Sequence, residues 1–232
     1  MPHPLPLLRR HAAAMERGNR RFWELLPEEA RAGQLNADAR RGDARDLPWR
    51  DGSVDLVVTS PPYVTSYEYA DLHELTALWL GWLEGEVVPK GDFIGSAAAR
   101  TRSQAAPESR LAARIADQLR PRSEAKAEEV RQYFLDMQQA FAEAHRVLAP
   151  GGRLCDVIGN TALQGVEILN AEVHAQLLEA VGFEIERVIR RVIPSKTLPQ
   201  VRDPQTGKFT TARNSQAVEA YPEEFIVIAR KP

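Results

Sequence analysis

The chain has a single cysteine, Cys155, among its 232 residues. That excludes an internal disulfide and argues against a cysteine metal cluster; in its apolar stretch Cys155 reads as a small buried hydrophobe. No run of about 18 apolar residues occurs. The N-terminal "MPHPLPLLRRHAAAMERG" has no apolar stretch long enough for the core of a secretion signal. Neither a membrane span nor export is expected, and a cytoplasmic location follows. An excess of one charge is also missing: 30 Lys and Arg stand against 32 Asp and Glu, a net charge of −2. Any attraction to nucleic acid must therefore come from local charge. The histidines are scattered, and His73 and His145 sit beside apolar helical stripes, so no metal site is expected. Finally, none of the 14 glycines stands two positions from another, so the chain contains no G-x-G.

What is present is enough apolar residue, 44% of the chain, to bury a substantial core. The composition suggests one globular domain over 1–232. Residues 5–31 read as helical with a break near Pro27. "VDLVVTS", Val54 to Ser60, is a short valine-rich run after the turn "RDGS", the pattern of a strand buried on both faces. Tyr69, Leu72, Thr76, Trp79, Leu80 and Leu83 then recur at helical spacing, with Trp79 and Trp82 assigned to the core or an interface. The pattern dissolves over 85–127, which reads as an insertion and a candidate target-recognition region. Val130, Phe134, Met137, Phe141, Ala144 and Leu148 form a helical stripe ended by "APGG". "RLCDVIGN" is a second buried strand. "NAEVHAQLLEAVGF" is a helix with Asn170 as N-cap and Gly182 as stop. "EIERVIRRVI" and "EEFIVIAR" are strands near the C-terminus. Strands separated by such helices imply an α/β fold with a mainly parallel sheet, covered by helices on both faces. In such sheets ligands bind beyond the carboxyl ends of the strands.

Ser60-Pro61-Pro62-Tyr63 stands at one such end. Consecutive prolines forfeit two backbone donors and stiffen the chain. The turn therefore either closes a strand or holds fixed acceptors for a ligand.

"GDARDLPWRDGSVDLVVTSPPY" and "AHRVLAPGGRLCDVIGN" resemble the amino-directed DNA methyltransferases, which transfer a methyl group from S-adenosylmethionine to an exocyclic amine of cytosine or adenine. The resemblance covers roughly 40–83 and 128–230 and implies a partial Rossmann-like class I methyltransferase sheet with an antiparallel strand near the C-terminus. It gives Ser60, Pro61, Pro62 and Tyr63 the catalytic pocket, with Ser60 also near the cofactor. Asp43 matches the position near the cofactor's adenine, although a solvated turn aspartate would look the same. An exocyclic amine is a poor nucleophile, so its hydrogens need positioned acceptors. The Ser60 hydroxyl and Pro61 carbonyl offer these, Tyr63 offers a stacking face, and the base must leave the duplex stack to reach them. Serine as the first residue favours cytosine N4 over adenine N6. Asn160 either faces this pocket or caps the strand end.

Between Arg187 and Arg213 seven basic residues, including Arg190, Arg191, Lys196, Arg202 and Lys208, face one acid, Asp203. A basic connection over 190–222, ahead of the last strand, suits contact with DNA phosphates or is simply solvated. The family's glycine-rich cofactor loop has no counterpart here. The resemblance therefore implies one subunit of a split enzyme, with a second polypeptide supplying that loop and its strands. A non-catalytic nucleic-acid-binding or regulatory module, or an adenine, RNA or protein methyltransferase, are the alternatives.

Overall fold

The computed structural model describes residues 4–64, 69–81, 93–95, 104–193, 201–203, 210–211, 213–219 and 223–232. The chain divides into two units, 1–41 and 42–232. The first holds α1 (Pro4–Leu25) and α2 (Glu28–Arg31). Pro27 precedes α2 in an extended conformation, φ −61° and ψ 157°, where its missing N–H costs nothing. The helical reading of 5–31 with a break at Pro27 agrees.

The second unit contains β1 (Val54–Thr59), α3 (Tyr69–Trp79), α4 (Arg110–Leu119), α5 (Glu124–Val147), β2 (Leu148–Ile158), β3 (Thr161–Leu163), β4 (Val166–Ile168), α6 (Asn170–Ala180), β5 (Glu184–Val192), β6 (Val201–Arg202), β7 (Val218–Glu219) and β8 (Glu223–Arg230). Four strands form the main sheet in the order β1-β2-β8-β5. β1 runs parallel to β2, and β8 is antiparallel to both β2 and β5. β1, β2 and β5 therefore point one way and β8 the other, the mixed α/β class with a late antiparallel strand that the resemblance implied. The strand reversal has a useful consequence: Thr59, Ile158 and Val192 all end at the same edge of the sheet, where β8 begins with Glu223.

Alternation along β2 sorts its side chains between faces. Leu154, Asp156 and Ile158 are buried, opposite Ala229, Val227 and Phe225 of β8. α5 and α6 pack over this face, and α4 packs against both of them. The α5 stripe is buried as expected, with Val130, Phe134 and Phe141 at 2% exposure or less. Burial of each such side chain contributes roughly 1.5–3 kcal/mol against exposure. α4 lies inside the stretch 85–127 and contributes Leu111, Ile115 and Leu119 to the same core. Its N-cap Ser109 accepts a hydrogen bond from Ala112 N at 3.1 Å.

The opposite sheet face is apolar along Leu56, Val58, Cys155, Val157, Ile226 and Ile228, and no described helix of this unit is buried against it. Cys155 sits there partly exposed, not fully buried. Leu56 and Val58 are 55% and 67% exposed, and among the described residues β1 pairs with β2 alone. The strand read as buried on both faces is thus an edge strand. Trp79, assigned to a core or interface, is 87% exposed and so outside the core; Trp82 lies outside the described residues.

One local reading is corrected. Asn170 is the first residue of α6 and not its cap: its side chain turns back to donate to Gly159 O at 2.9 Å. Asn160 does the capping, accepting from Ala171 N at 3.0 Å. Gly182 does stop the helix, at φ +103°, a conformation that penalises any side chain.

Candidate active site

The β1–β2 ladder closes at Thr59↔Asp156, so Ser60-Pro61-Pro62-Tyr63 leaves the sheet with no strand pairing. The two prolines explain why the ladder stops here. Ser60 is exposed, Pro61 buried, and Pro62 and Tyr63 partly buried. This gives a hydroxyl at the surface on an anchored backbone. Val64, 2% exposed, ties the far end of the turn to the core.

A groove of about 650 Å³ runs along β1 and ends at this turn. Val57, Thr59, Ser60, Pro61 and Pro62 line it from the strand side, Met137 and Phe141 from α5, and Ala44, Leu47 and Trp49 from the segment before β1. Its walls are predominantly apolar, as binding clefts for flat organic ligands usually are.

Asp43 stands next to Ala44 of the groove wall, with its side chain 47% exposed. Arg45 grips it with Nε and Nη2, at 3.0 Å to Oδ1 and 2.8 Å to Oδ2. That guanidinium holds the Asp43 carboxyl below the usual carboxylate range. Arg45 also reaches the buried Asp136 of α5 at 3.3 Å, and burial pushes the Asp136 carboxyl up. Asp43 is thus an exposed turn aspartate that Arg45 links to α5.

Arg146, in the last turn of α5, clamps the segment before β1. It donates to Leu47 O at 2.9 Å, Trp49 O at 3.0 Å and Asp51 Oδ1 at 2.6 Å, and to both oxygens of Glu143. Glu143 in turn accepts from Leu47 N at 2.9 Å. These bonds lower the Glu143 carboxyl to about 2. Sequence reading singled out "RVLAPGG" as a motif but not this clamp; a lone arginine near a helix end gives no sign of which loop it will meet.

At the end of β2, Asn160 holds α6, through Ala171 N and through Glu172 Oε2 at 2.9 Å. Its side chain is thus engaged by the N-terminus of α6. Gly159, one residue earlier, was not singled out, yet Tyr63 lies against it.

The basic residues are divided. Arg190 and Arg191 belong to β5, with side chains 68% and 62% exposed, and pair with Glu223 and Glu224 of β8. Lys196 and Lys208 lie outside the described residues, as does the side chain of Arg202, whose backbone is in β6. β5 points to the edge where Ser60 stands, so its two arginines approach the end of the sheet that carries the turn.

Below the site, and missed in the sequence, is a fully buried polar chain. His174 Nδ1 lies 2.8 Å from Asp156 Oδ2, and Tyr133 Oη lies 3.3 Å from His174 Nε2. The Phe141 ring meets His174 edge-on at 5.1 Å between centroids. Among the described residues, no group of three or more His, Cys, Asp or Glu is placed to hold a metal ion, and no helix is long and apolar enough to cross a membrane.

The model of a family of DNA methylases, acting at N6 or N4, matches residues 54–231. No curated protein matches the chain. Among solved structures, it is similar to a candidate DNA modification methylase from Thermus thermophilus, with 19% identity over 82% of this chain and 52% of that one and a TM-score of 0.42. The same protein complexed with S-adenosyl-L-methionine gives 22% identity over 82% and 54%, at 0.39. A SAM-dependent methyltransferase from Methanosarcina mazei gives 13% identity over 82% and 65%, at 0.35. The chain thus spans about half the length of the first of these.

Proposed function

Since the chain belongs to the N6/N4 DNA methylase family, we propose that it is the base-pocket subunit of an S-adenosylmethionine-dependent DNA methyltransferase acting on an exocyclic amine, cytosine N4. The observation that carries this reading is the Ser60–Tyr63 turn, free of the sheet ladder, at the carboxyl end of β1 and at the mouth of an apolar groove. Ser60 Oγ and the Pro61 carbonyl would accept the two amine hydrogens. The nitrogen lone pair is then aimed instead of spread into the ring, and the reacting atoms are held at attacking distance. Tyr63 would stack on the extruded base, whose unstacking costs a few kcal/mol that such contacts offset.

The residues present fit one side of the cofactor. The groove offers apolar walls that would suit a flat adenine beside the Asp43 turn, and Ser60, which lines its end, would face the methyl group in this reading. Bound S-adenosylmethionine would supply an electrophilic methyl group. The other side needs backbone donors that a glycine-rich loop provides, and no G-x-G occurs in the sequence. The exposed apolar edge of β1 supports the same conclusion from packing, because an edge of this kind calls for a partner strand. We assign that strand and loop to a second polypeptide.

Arg190 and Arg191, with Lys196, Arg202 and Lys208 of the following connection, are placed on the DNA backbone in this reading, with 85–127 a candidate for target recognition. The test is calorimetry of the chain alone and with the proteins that co-purify with it. Weak or absent cofactor binding alone, with binding and methyl transfer restored by one companion chain, is the expected outcome. Tight binding and full transfer by the single chain would overturn the split-enzyme reading, and N6-methyladenine as sole product would overturn the choice of cytosine.

A further inference from the structure

We propose that Gly159, held in place by Asn170, is a positioning residue that sets how far the Tyr63 ring stands from the end of β2, and so the width of the slot into which a base would stack. The proposal rests on the methyltransferase reading for its function but not for its geometry.

β1 and β2 run parallel and finish side by side, so the turn leaving β1 passes across the residue that follows β2. That residue is Gly159. A methyl group on its Cα would stand 3.2 Å from Tyr63 Cε2 and 3.6 Å from both Tyr63 Cζ and the Glu223 carbonyl oxygen. The first distance is inside ordinary carbon contact, so the ring sits as close as it does only because no side chain is there.

Gly159 is also a fixed surface. Its carbonyl accepts from Asn170 Nδ2 at 2.9 Å, and Asn170 is fully buried. The next residue, Asn160, is bonded in the opposite sense to Ala171 N and Glu172 Oε2. Two asparagines thus clasp the Gly159-Asn160 turn to the first turn of α6, which is itself anchored by Val173, Leu177 and Leu178, all buried. The ring leans on a backbone that cannot retreat. Adding a methyl group must then move the ring and not the turn, by a few tenths of an ångström, into the space a base would use.

Two readouts test this. In the full chain with ring-labelled tyrosine, five signals are present and Tyr63→Phe identifies one of them. Gly159→Ala should shift the Tyr63 signal and leave that of Tyr133, buried against His174, unchanged. Asn170→Ala, which loosens the clasp without adding bulk, should shift it too. In the assembled enzyme Gly159→Ala should lower kcat/KM for DNA by about tenfold at unchanged cofactor KM, since small misplacements of reacting groups are costly. It should add little further loss in a Tyr63→Ala background, because both act through one ring. An unmoved Tyr63 signal overturns the proposal whatever the activity, and so do losses that simply add in the double variant. An inactive assembly would instead count against the methyltransferase reading, with the ring shift still deciding the role of Gly159.

Discussion

Arg146 and Glu143, one turn apart near the end of α5, form a two-pronged pair at 2.9 and 2.8 Å, and together they bond both the N–H and the carbonyl of Leu47. The pair fixes where the chain enters β1 and hence where the Asp43 turn lies relative to the groove. A charge pair that satisfies backbone groups in this way is more specific than an exposed i,i+3 pair, whose energy is small.

This gives a first prediction, about acid stability. The Glu143 carboxyl is lowered to about 2 from its ordinary 4.5. A lowered carboxyl stabilises the fold when ionised, so its contribution is complete above pH 4.5 and disappears as pH falls toward 2. Glu143→Gln should lower Tm at neutral pH and flatten the Tm profile between pH 4.5 and 2. A profile parallel to that of the parent chain would mean that the pair does not stabilise the segment.

A second prediction concerns the turn at the groove mouth. Ser60 is exposed, so Ser60→Ala should leave Tm unchanged while slowing methyl transfer in the complete enzyme by about 10²-fold, the loss expected for one positioned hydrogen-bond partner. Tyr63→Ala should weaken DNA substrate binding as well. Parent-like single-turnover rates in Ser60→Ala would remove the hydroxyl from the mechanism.

A third follows from the bare edge of β1. Val58 and Leu56 are more than half exposed, so lysine at either costs the fold little but blocks strand addition. Val58→Lys should reduce aggregation of the isolated chain, followed by light scattering on heating, and should abolish recovery of activity with the companion chain. Unimpaired recovery would place the partner elsewhere.

The buried Asp156–His174–Tyr133 chain supplies a fourth. Asp156→Ala or His174→Ala leaves a buried polar partner without its bond and should cost about 3 kcal/mol or more, whereas Tyr133→Phe should cost about 1 kcal/mol. Denaturant unfolding measures all three, and a mild effect from His174→Ala would show that the chain is only loosely coupled to the core.

The fifth concerns DNA. Replacing Arg190 and Arg191 by alanine should reduce the slope of log affinity against log salt by at most about 2, one per lost phosphate contact. Glu223 and Glu224 already pair with these arginines, so Glu223→Gln should strengthen DNA binding. Salt titrations of both variants that overlay the parent curve would return this strand to the solvated surface.

The sequence alone determined the elements whose signal is local. Pro27 broke the N-terminal helix, valine content marked β1, the 3.6-residue stripe marked α5, and the double proline ended a strand at the carboxyl edge of the sheet, because dihedral limits and side-chain periodicity act within a few residues. Only the tertiary structure decided the rest. Which of Asn160 and Asn170 caps α6, which loop Arg146 clamps, that His174 meets Asp156, and that Gly159 gives room to Tyr63 are contacts between residues up to 99 positions apart. β1 reads as buried because its side chains are apolar, yet Leu56 and Val58 are exposed because burial depends on what packs over that face of the sheet as well as beside the strand, and no residue within β1 specifies either.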